Sequence, residues 1–188
     1  MRNLLSEFDE YLRLDERCTF ETVKRFRSIA RQFATYLSGM MTSSNEKLVS
    51  ATTSDVLAFL RQAAETKQGA FSAHKWNQKL TAVRALFRYL VREKLCPENP
   101  TAELHRVTAI CRERIPLSLA EFVALIRAMH TAAEPYRSRN IALAQIGFHC
   151  GLRVSELSRL NLDHLDRTHR LIVNLEAKGG KFLVVPFP

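Results

Sequence analysis

The sequence predicts a mainly α-helical protein, with a four-helix bundle in the first hundred residues and an α+β region with a small antiparallel sheet after it. Two observations support this fold class. Apolar residues recur every three or four positions through most of the first part, as they do on the buried face of a helix. Near the end, two runs rich in Val, Ile and Leu flank a Gly-Gly pair, which is the pattern of a β-hairpin.

Four amphipathic helices account for the first part of the chain. They span about residues 3–14, 20–38, 54–67 and 71–94. Thr19 is the predicted N-cap of the second helix, and Thr53 or Ser54 is the predicted N-cap of the third. Residues 40–49, between these two helices, are polar and predict a connection without regular structure.

A change in pattern after the fourth helix predicts two domains. We expect a helical domain at residues 1–105, a linker at 106–115 and a second domain at 116–188. The second domain opens with a capping box, in which Ser118 and Glu121 satisfy the first backbone donors of a new helix.

Apolar segments predict the rest of the second domain. Residues 140–150 are almost wholly apolar and predict a helix buried in the centre of the domain. Three runs with strand character follow, at residues 162–165, 171–175 and 182–185. Gly179 and Gly180 lie between the last two runs and favour a turn, because glycine takes positive φ freely.

The charge of the chain indicates a polyanionic partner. The formal net charge is +9 and the pI is about 9.8. Both parts are basic, with 17 Lys and Arg against 12 Asp and Glu up to Arg106, and 11 against 7 after it. Charge alone leaves nucleic acids, ribosomal partners and membrane surfaces open.

The remaining composition predicts a cytoplasmic protein without a metal site. The N-terminus has no apolar leader, and no apolar run approaches the length that spans a membrane. The cysteines Cys18, Cys96, Cys111 and Cys150 are far apart and form no C-x-x-C pair. This spacing argues against a disulfide framework and a structural zinc site, and predicts reduced thiols.

One segment, residues 151–157, places an arginine immediately before a short helix. Ser155 is the predicted N-cap, and Arg153 is then held at the start of the helix. Some twenty residues further on, the predicted hairpin turn carries Lys178 and Lys181. A fixed guanidinium and an ammonium on a turn are both suited to bind phosphate oxygens.

These motifs resemble the tyrosine recombinase (phage integrase) family, and its Xer-type members in particular. The resemblance is carried by Gly-Leu-Arg-Val-Ser-Glu-Leu at residues 151–157, Lys-Gly-Gly-Lys at 178–181 and the Val-Pro end of the last strand. The run at 81–94, followed by Asn-Pro-Thr-Ala at 99–102, resembles the DNA-clamping domain of the same family. The resemblance implies a SAM-like core-binding domain and a catalytic domain that recombines duplex DNA at specific sites, without metal or nucleotide cofactor.

The resemblance also implies roles for individual residues. Arg153 stabilises the extra charge of the phosphodiester transition state, Lys178 protonates the leaving 5′-oxygen, Lys181 contacts a phosphate and Glu156 orients its neighbours. The residues alone leave other interpretations open. Arg153 can pair with Glu156 one helical turn along, Lys178 can be a solvated turn lysine, and Glu156 can be a surface carboxylate beside Arg159.

Other parts of the family's site have no match at the expected positions. His164-Leu165-Asp166-Arg167 has the letters of the family's His-x-x-Arg motif, but it follows Arg153 by only eleven residues, and we interpret it as a coincidence. None of the four tyrosines matches the position of the family's nucleophile. We therefore expect the chain to lack the C-terminal part of the catalytic domain, to bind duplex DNA without cleaving it, and not to form the family's tetramer stably.

Two basic stripes are predicted to contact duplex DNA. They comprise Lys24, Arg27 and Arg31 on the second helix, and Lys75, Lys79, Arg84, Arg88 and Arg92 on the fourth. A solvated helix face is the alternative for either stripe. For the whole chain, the alternatives to a recombinase are a non-catalytic DNA-binding protein that occupies recombination sites and a basic protein-interaction bundle unrelated to DNA.

Overall fold

The computed structural model describes residues 3–39, 44–65, 71–108, 113, 115–177 and 179–187. The chain divides into two compact units, Met1–Arg112 and Glu113–Pro188. Helices dominate both units, and the second also contains a three-stranded antiparallel sheet. The predicted fold class is confirmed.

The first unit contains five helices in its described part, one more than predicted. They are α1 (Leu4–Leu14), α2 (Phe20–Ser38), α3 (Ser44–Val49), α4 (Thr53–Ala64) and α5 (Ala73–Arg92). The prediction of an irregular connection at residues 40–49 is wrong where α3 lies. Although the segment is polar, it carries Leu48, which is completely buried in the core of the unit. A single apolar anchor is enough to dock a short helix that is too weakly patterned to detect from sequence.

The N-cap of α4 is Thr52, so the prediction of Thr53 or Ser54 is wrong. The Asp55 backbone N–H donates to Thr52 Oγ1 at 3.3 Å, and the Thr52 backbone N–H donates to Asp55 Oδ2 at 2.9 Å. These hydrogen bonds from Thr52 lower the pKa of the Asp55 carboxyl. The reciprocal pair is a capping box, and it satisfies donors at the start of α4 that otherwise have no partner within the helix.

Helix α5 is the central element of the first unit. It packs against α1, α2 and α4, and nine of its twenty residues are buried. Phe33 of α2 contacts Phe59 of α4 and Phe87 of α5, with ring centroids 5.1 and 6.0 Å apart. Aromatic contacts of this geometry add to the free energy gained by burying the rings.

The chain leaving the bundle is hydrogen-bonded to α5. The Trp76 indole N–H donates to the His105 carbonyl at 3.4 Å. The Asn77 amide donates to the Val107 carbonyl at 2.7 Å and accepts from the Val107 backbone N–H at 2.9 Å. The first residues of the predicted linker, 106–115, therefore belong to the bundle.

The second unit consists of helices followed by a small sheet. Its elements are α6 (Leu119–Met129), α7 (Tyr136–Cys150), α8 (Val154–Leu157), a 3₁₀ turn at Leu162–His164, β1 (Leu165–Asp166), β2 (Leu171–Glu176) and β3 (Phe182–Pro186). The strands are antiparallel in the order β1-β2-β3. The predicted capping box of α6 is present, with the Ser118 backbone N–H 2.8 Å from Glu121 Oε2. The first predicted strand run, 162–165, is mostly the 3₁₀ turn.

The prediction that residues 140–150 form a buried helix is wrong in one respect. They are helical, as part of α7, but no residue of α7 is fully buried. Helices α6 and α8 pack on α7, and Leu143 and Phe148 remain exposed. An apolar composition indicates that a helix can be buried, but burial also needs neighbours on every side.

Three further observations concern membranes, metals and thiols in the part of the chain that the structure describes. None of the described helices combines the length and apolar character needed to cross a membrane. No three His, Cys, Asp or Glu side chains among the described residues are grouped so that they could hold a metal ion. Cys18, Cys96 and Cys150 are free thiols.

We predict that Leu86→Ala lowers the free energy of unfolding of the first unit by about 3 kcal/mol, because it leaves a cavity beneath α5. Leu86 is 0 % exposed, whereas Leu14 is 68 % exposed and provides a matched control that changes stability by less than about 0.5 kcal/mol. Urea unfolding followed by fluorescence of Trp76, the only tryptophan, measures both. Equal effects of the two substitutions contradict the described core.

Candidate nucleic-acid interface

A basic groove lies between α2 and α5 in the first unit. Its volume is about 600 Å³. One carboxylate, Glu21, lines it, together with four cationic side chains, Lys24, Arg25, Lys75 and Lys79. The remaining lining residues are Ser28, Ile29, Gln32 and Gln78. This composition is suited to binding an anion, because the cations outnumber the carboxylate within one concave surface.

Lys79 is the most buried of the four cationic side chains that line the groove. Its ammonium donates to Gln32 Oε1 at 2.5 Å and lies 5.0 Å from the centre of the Phe59 ring. Burial, and then the charge of Lys75 one helical turn away, lower the pKa of Lys79. A phosphate in the groove would relieve the repulsion between the two ammonium groups.

A second, smaller groove adjoins the first. Its volume is about 280 Å³, and Arg25 and Gln78 line both grooves. The other lining residues are Phe26, His74, Asn77, Thr81 and Arg106. The Arg106 guanidinium donates to Thr81 Oγ1 at 3.0 Å, so the segment anchored on α5 contributes a cation to this groove. The predicted stripes include neither Arg25 nor Arg106, because helical spacing does not show which residues face a neighbouring element.

The arginines of the α2 stripe differ from Lys24. Arg27 Nη1 lies 3.1 Å from Oδ2 of Asp9, whose side chain is only 10 % exposed. Desolvation raises the pKa of the Asp9 carboxyl, and the charge of Arg27 opposes that shift. Arg31 is exposed on α2 outside the groove lining. Arg27 therefore neutralises a buried carboxylate, while Lys24 is exposed in the groove.

The arginines of the α5 stripe also bind protein groups. Arg84 donates through Nη2 to the carbonyl oxygens of Thr101, at 3.2 Å, and of Leu104. The two that follow it pair with carboxylates near the end of α1: Arg88 Nη2 is 3.7 Å from Glu16 Oε1, and Arg92 Nη1 is 2.9 Å from Asp15 Oδ1. The structure thus brings Lys24, Lys75 and Lys79 together and places Arg84, Arg88 and Arg92 elsewhere.

In the second unit, Glu156 holds Arg153 at the start of α8. The Arg153 backbone N–H donates to Glu156 Oε2 at 2.7 Å, and Arg153 Nη1 donates to Oε1 at 2.9 Å. The Glu156 side chain is 3 % exposed and the Arg153 side chain is 66 % exposed. Arg153 itself is the N-cap residue, so the predicted cap at Ser155 is wrong. One end of the guanidinium is fixed and most of the side chain is accessible to a ligand.

The core beneath this segment also supports the hairpin. Leu152, Ile172 and Leu175 are buried together, and Leu157 and Leu160 pack against them. The predicted hairpin is present, with its two glycines at φ of +89° and +74°. The Ala177 backbone N–H donates to the Lys181 carbonyl at 2.6 Å and closes the turn. Lys181 is exposed, and Lys178 lies outside the described residues.

The His-x-x-Arg letters at 164–167 lie in a different structural setting from a catalytic helix. His164 ends the 3₁₀ turn, and its Nδ1 accepts a hydrogen bond from the Asn161 backbone N–H at 3.0 Å. Arg167 lies in the turn after β1. Two tyrosines are tied to carboxylates in the first unit: Tyr11 to Glu16, at 2.6 Å, and Tyr89 to Glu7, at 2.9 Å.

Comparison with known proteins finds similar sequences and folds among the tyrosine recombinases and integrases. Residues 5–94 match the phage integrase N-terminal SAM-like domain. The chain is 31 % identical over 183 residues to tyrosine recombinase XerD of Yersinia pestis, with 97 % of the chain and 58 % of that protein covered. It is 32 % identical over 194 residues to tyrosine recombinase XerC of Mycobacterium tuberculosis strain H37Ra, with 100 % and 61 % covered. The fold also matches a lambda integrase dimer bound to a COC′ core site, with a TM-score of 0.72, 16 % identity, and 97 % of this chain and 47 % of that chain covered.

The first unit therefore contains an integrase-type SAM-like domain. Along its whole length the chain is similar to tyrosine recombinases of the Xer type. It spans about three-fifths of the length of these relatives.

We predict that Arg27→Ala lowers the free energy of unfolding by about 1–2 kcal/mol, because it leaves the Asp9 carboxylate without its counter-charge. The loss is smaller than for a fully buried pair, since the Arg27 side chain is 41 % exposed. Lys24→Ala, on the same helix, changes stability by less than about 0.5 kcal/mol. Urea unfolding measures the stability of both variants. A loss of stability as large for Lys24→Ala as for Arg27→Ala contradicts the structural role that we give to Arg27 alone.

Proposed function

We propose that the chain is the DNA-clamping domain and the first part of the catalytic domain of a site-specific tyrosine recombinase. The observation that carries the proposal is the groove between α2 and α5, with its four cations and one carboxylate, in a domain of the integrase SAM-like type. Such a groove follows the phosphates of duplex DNA. The reaction class, cutting and rejoining of DNA, comes from the Xer-type relatives. We expect it to take place in the cytoplasm.

Arg153 and Lys178 are the proposed groups for transition-state chemistry. A guanidinium fixed by Glu156 can bind the non-bridging oxygens of the scissile phosphate, and it binds them more strongly as charge builds up in the transition state. Lys178, which lies between β2 and β3 in the sequence, is proposed to protonate the leaving 5′-oxygen, and Lys181 to contact a phosphate. In this scheme Glu156 positions Arg153 and does not touch the DNA.

We assign no tyrosine of this chain as the nucleophile. A tyrosine recombinase stores the energy of the broken bond in a 3′-phosphotyrosyl linkage, so that rejoining needs no nucleotide cofactor and no metal ion. Tyr11 and Tyr89 are held by carboxylates within the bundle, which makes them poor candidates. We therefore propose that the 188 residues bind duplex DNA without cleaving it.

The second candidate function is a DNA-binding protein without catalytic activity that occupies recombination sites. The ion pair between Arg153 and Glu156 favours this candidate, because a role in stabilising α8 explains Arg153 without any catalytic role. Both candidates require the same DNA contacts and differ only in the chemistry at the phosphate.

Duplex affinity is expected to fall steeply with salt, because each neutralised phosphate releases counterions. With Lys24, Arg25, Lys75 and Lys79 engaged, the logarithm of the association constant falls with the logarithm of salt concentration with a slope of about −3 to −4. Lys75→Ala reduces the slope by about 1, whereas Lys47→Ala, on the exposed side of α3, leaves it unchanged. Fluorescence anisotropy with a labelled duplex measures the slope, and a flat salt dependence rejects both DNA-binding candidates.

In a complete recombinase that carries these residues, Arg153→Ala is expected to reduce strand cleavage at least a hundredfold and to leave site binding within about threefold, since Arg153 acts in the transition state. Arg137→Ala, in the first turn of α7, is the matched control and retains cleavage. Cleavage is measured as covalent protein–DNA complex on nicked duplex, and binding as a gel shift. Equal losses of binding and cleavage contradict the role of Arg153. A covalent complex formed by the 188 residues alone contradicts the proposal that none of their tyrosines acts as the nucleophile.

A further inference from the structure

Gln78 occupies the junction of the two basic grooves. It is half-buried on α5 and lines both of them, as does Arg25 on the facing helix α2. Lys75 lies one helical turn before Gln78, and Lys79 follows it directly. The side chain is thus surrounded by three cations at the point where a polyanion in one groove would continue into the other.

The amide of Gln78 is available to a ligand, unlike the two other amides that line the grooves. The Gln32 amide accepts from Lys79 and donates to Ser28 Oγ at 3.3 Å. The Asn77 amide uses both of its ends on the backbone of Val107. Within the residues that the structure describes, no side chain or backbone group hydrogen-bonds to the Gln78 amide. The donor and the acceptor of this half-buried amide are therefore free to bind an incoming partner in the groove.

The chemistry of that partner follows from the surroundings and from the amide itself. Lysine and arginine bound to phosphates position a protein on duplex DNA, but they do not distinguish one sequence from another. A glutamine offers one donor and one acceptor side by side, which match N6 and N7 on the edge of adenine in the major groove. The major groove is wide enough to admit an α-helix such as α5.

We propose that Gln78 determines sequence specificity by reading an adenine in the major groove, while Arg25, Lys75 and Lys79 bind the flanking phosphates. This inference rests on the proposed function, since it requires that the grooves bind duplex DNA. It assigns a base-reading role to a residue outside both basic stripes, and it separates that role from the phosphate contacts around it.

The test is a binding selection on the 188-residue chain from a duplex pool with a randomised central segment, at fixed salt. The wild-type chain is expected to enrich sequences with adenine at one position in particular. Gln78→Ala reduces the discrimination at that position by about tenfold and leaves the other positions unchanged. Gln78→Arg changes the preference at that position from adenine to guanine, because arginine matches O6 and N7 of guanine. A new preference of this kind cannot result from loss of folding.

Gln62→Ala is the matched control, because Gln62 lies on α4 outside the lining of both grooves. It is expected to retain the wild-type preference. The inference is overturned if the wild-type, Gln78→Ala and Gln78→Arg chains select the same bases, or if the chain binds duplexes without any base preference. In either case the proposed function survives. If the chain binds no duplex at all, the proposed function fails together with the inference.

Discussion

The burial of α5 is the constraint on which the first unit depends. Its apolar face is covered by α1, α2 and α4, so the helix cannot rotate or slide without exposing residues such as Leu86 and Phe87. The side of α5 that borders the groove against α2 therefore presents Lys75, Gln78 and Lys79 in a fixed order. A rigid helix places polar groups more precisely than a loop, and the interaction proposed here needs that precision.

Basic residues in this domain serve two different purposes, and burial of their partners separates them. Arg27 lies beside a carboxylate that is almost inaccessible to water, and Arg84 donates to the backbone carbonyls of Thr101 and Leu104. Removing either side chain takes a partner from another group of the protein. Lys24 and Lys75, in contrast, lie in a groove where four cations outnumber the single carboxylate, Glu21. The net positive charge of a helix face thus overstates the number of cations that are available to an external anion.

How much could be predicted from sequence depends on whether a feature is fixed by local chemistry. The hairpin turn followed from two adjacent glycines, and the capping box of α6 from Ser118 and Glu121, since both motifs involve only neighbouring residues. The place of Arg153 before α8 was predicted for the same reason, although the cap itself was assigned to the wrong residue. The burial of α7 and the lining of the grooves depend on which elements meet, and neither periodicity nor composition contains that information. Hence Arg25 was missed, although it faces α5 across both grooves.

Because the pKa of Lys79 is lowered from its ordinary value, the α2–α5 groove is sensitive to protons as well as to anions. In the free protein, burial and the neighbouring Lys75 favour loss of the Lys79 proton, whereas a bound anion favours its return. Binding of an anion in the groove therefore favours the protonated form of Lys79. By linkage, the affinity for the anion decreases as Lys79 loses its proton. A groove that holds two close ammonium groups in this way couples its occupancy to the proton activity of the surrounding solution.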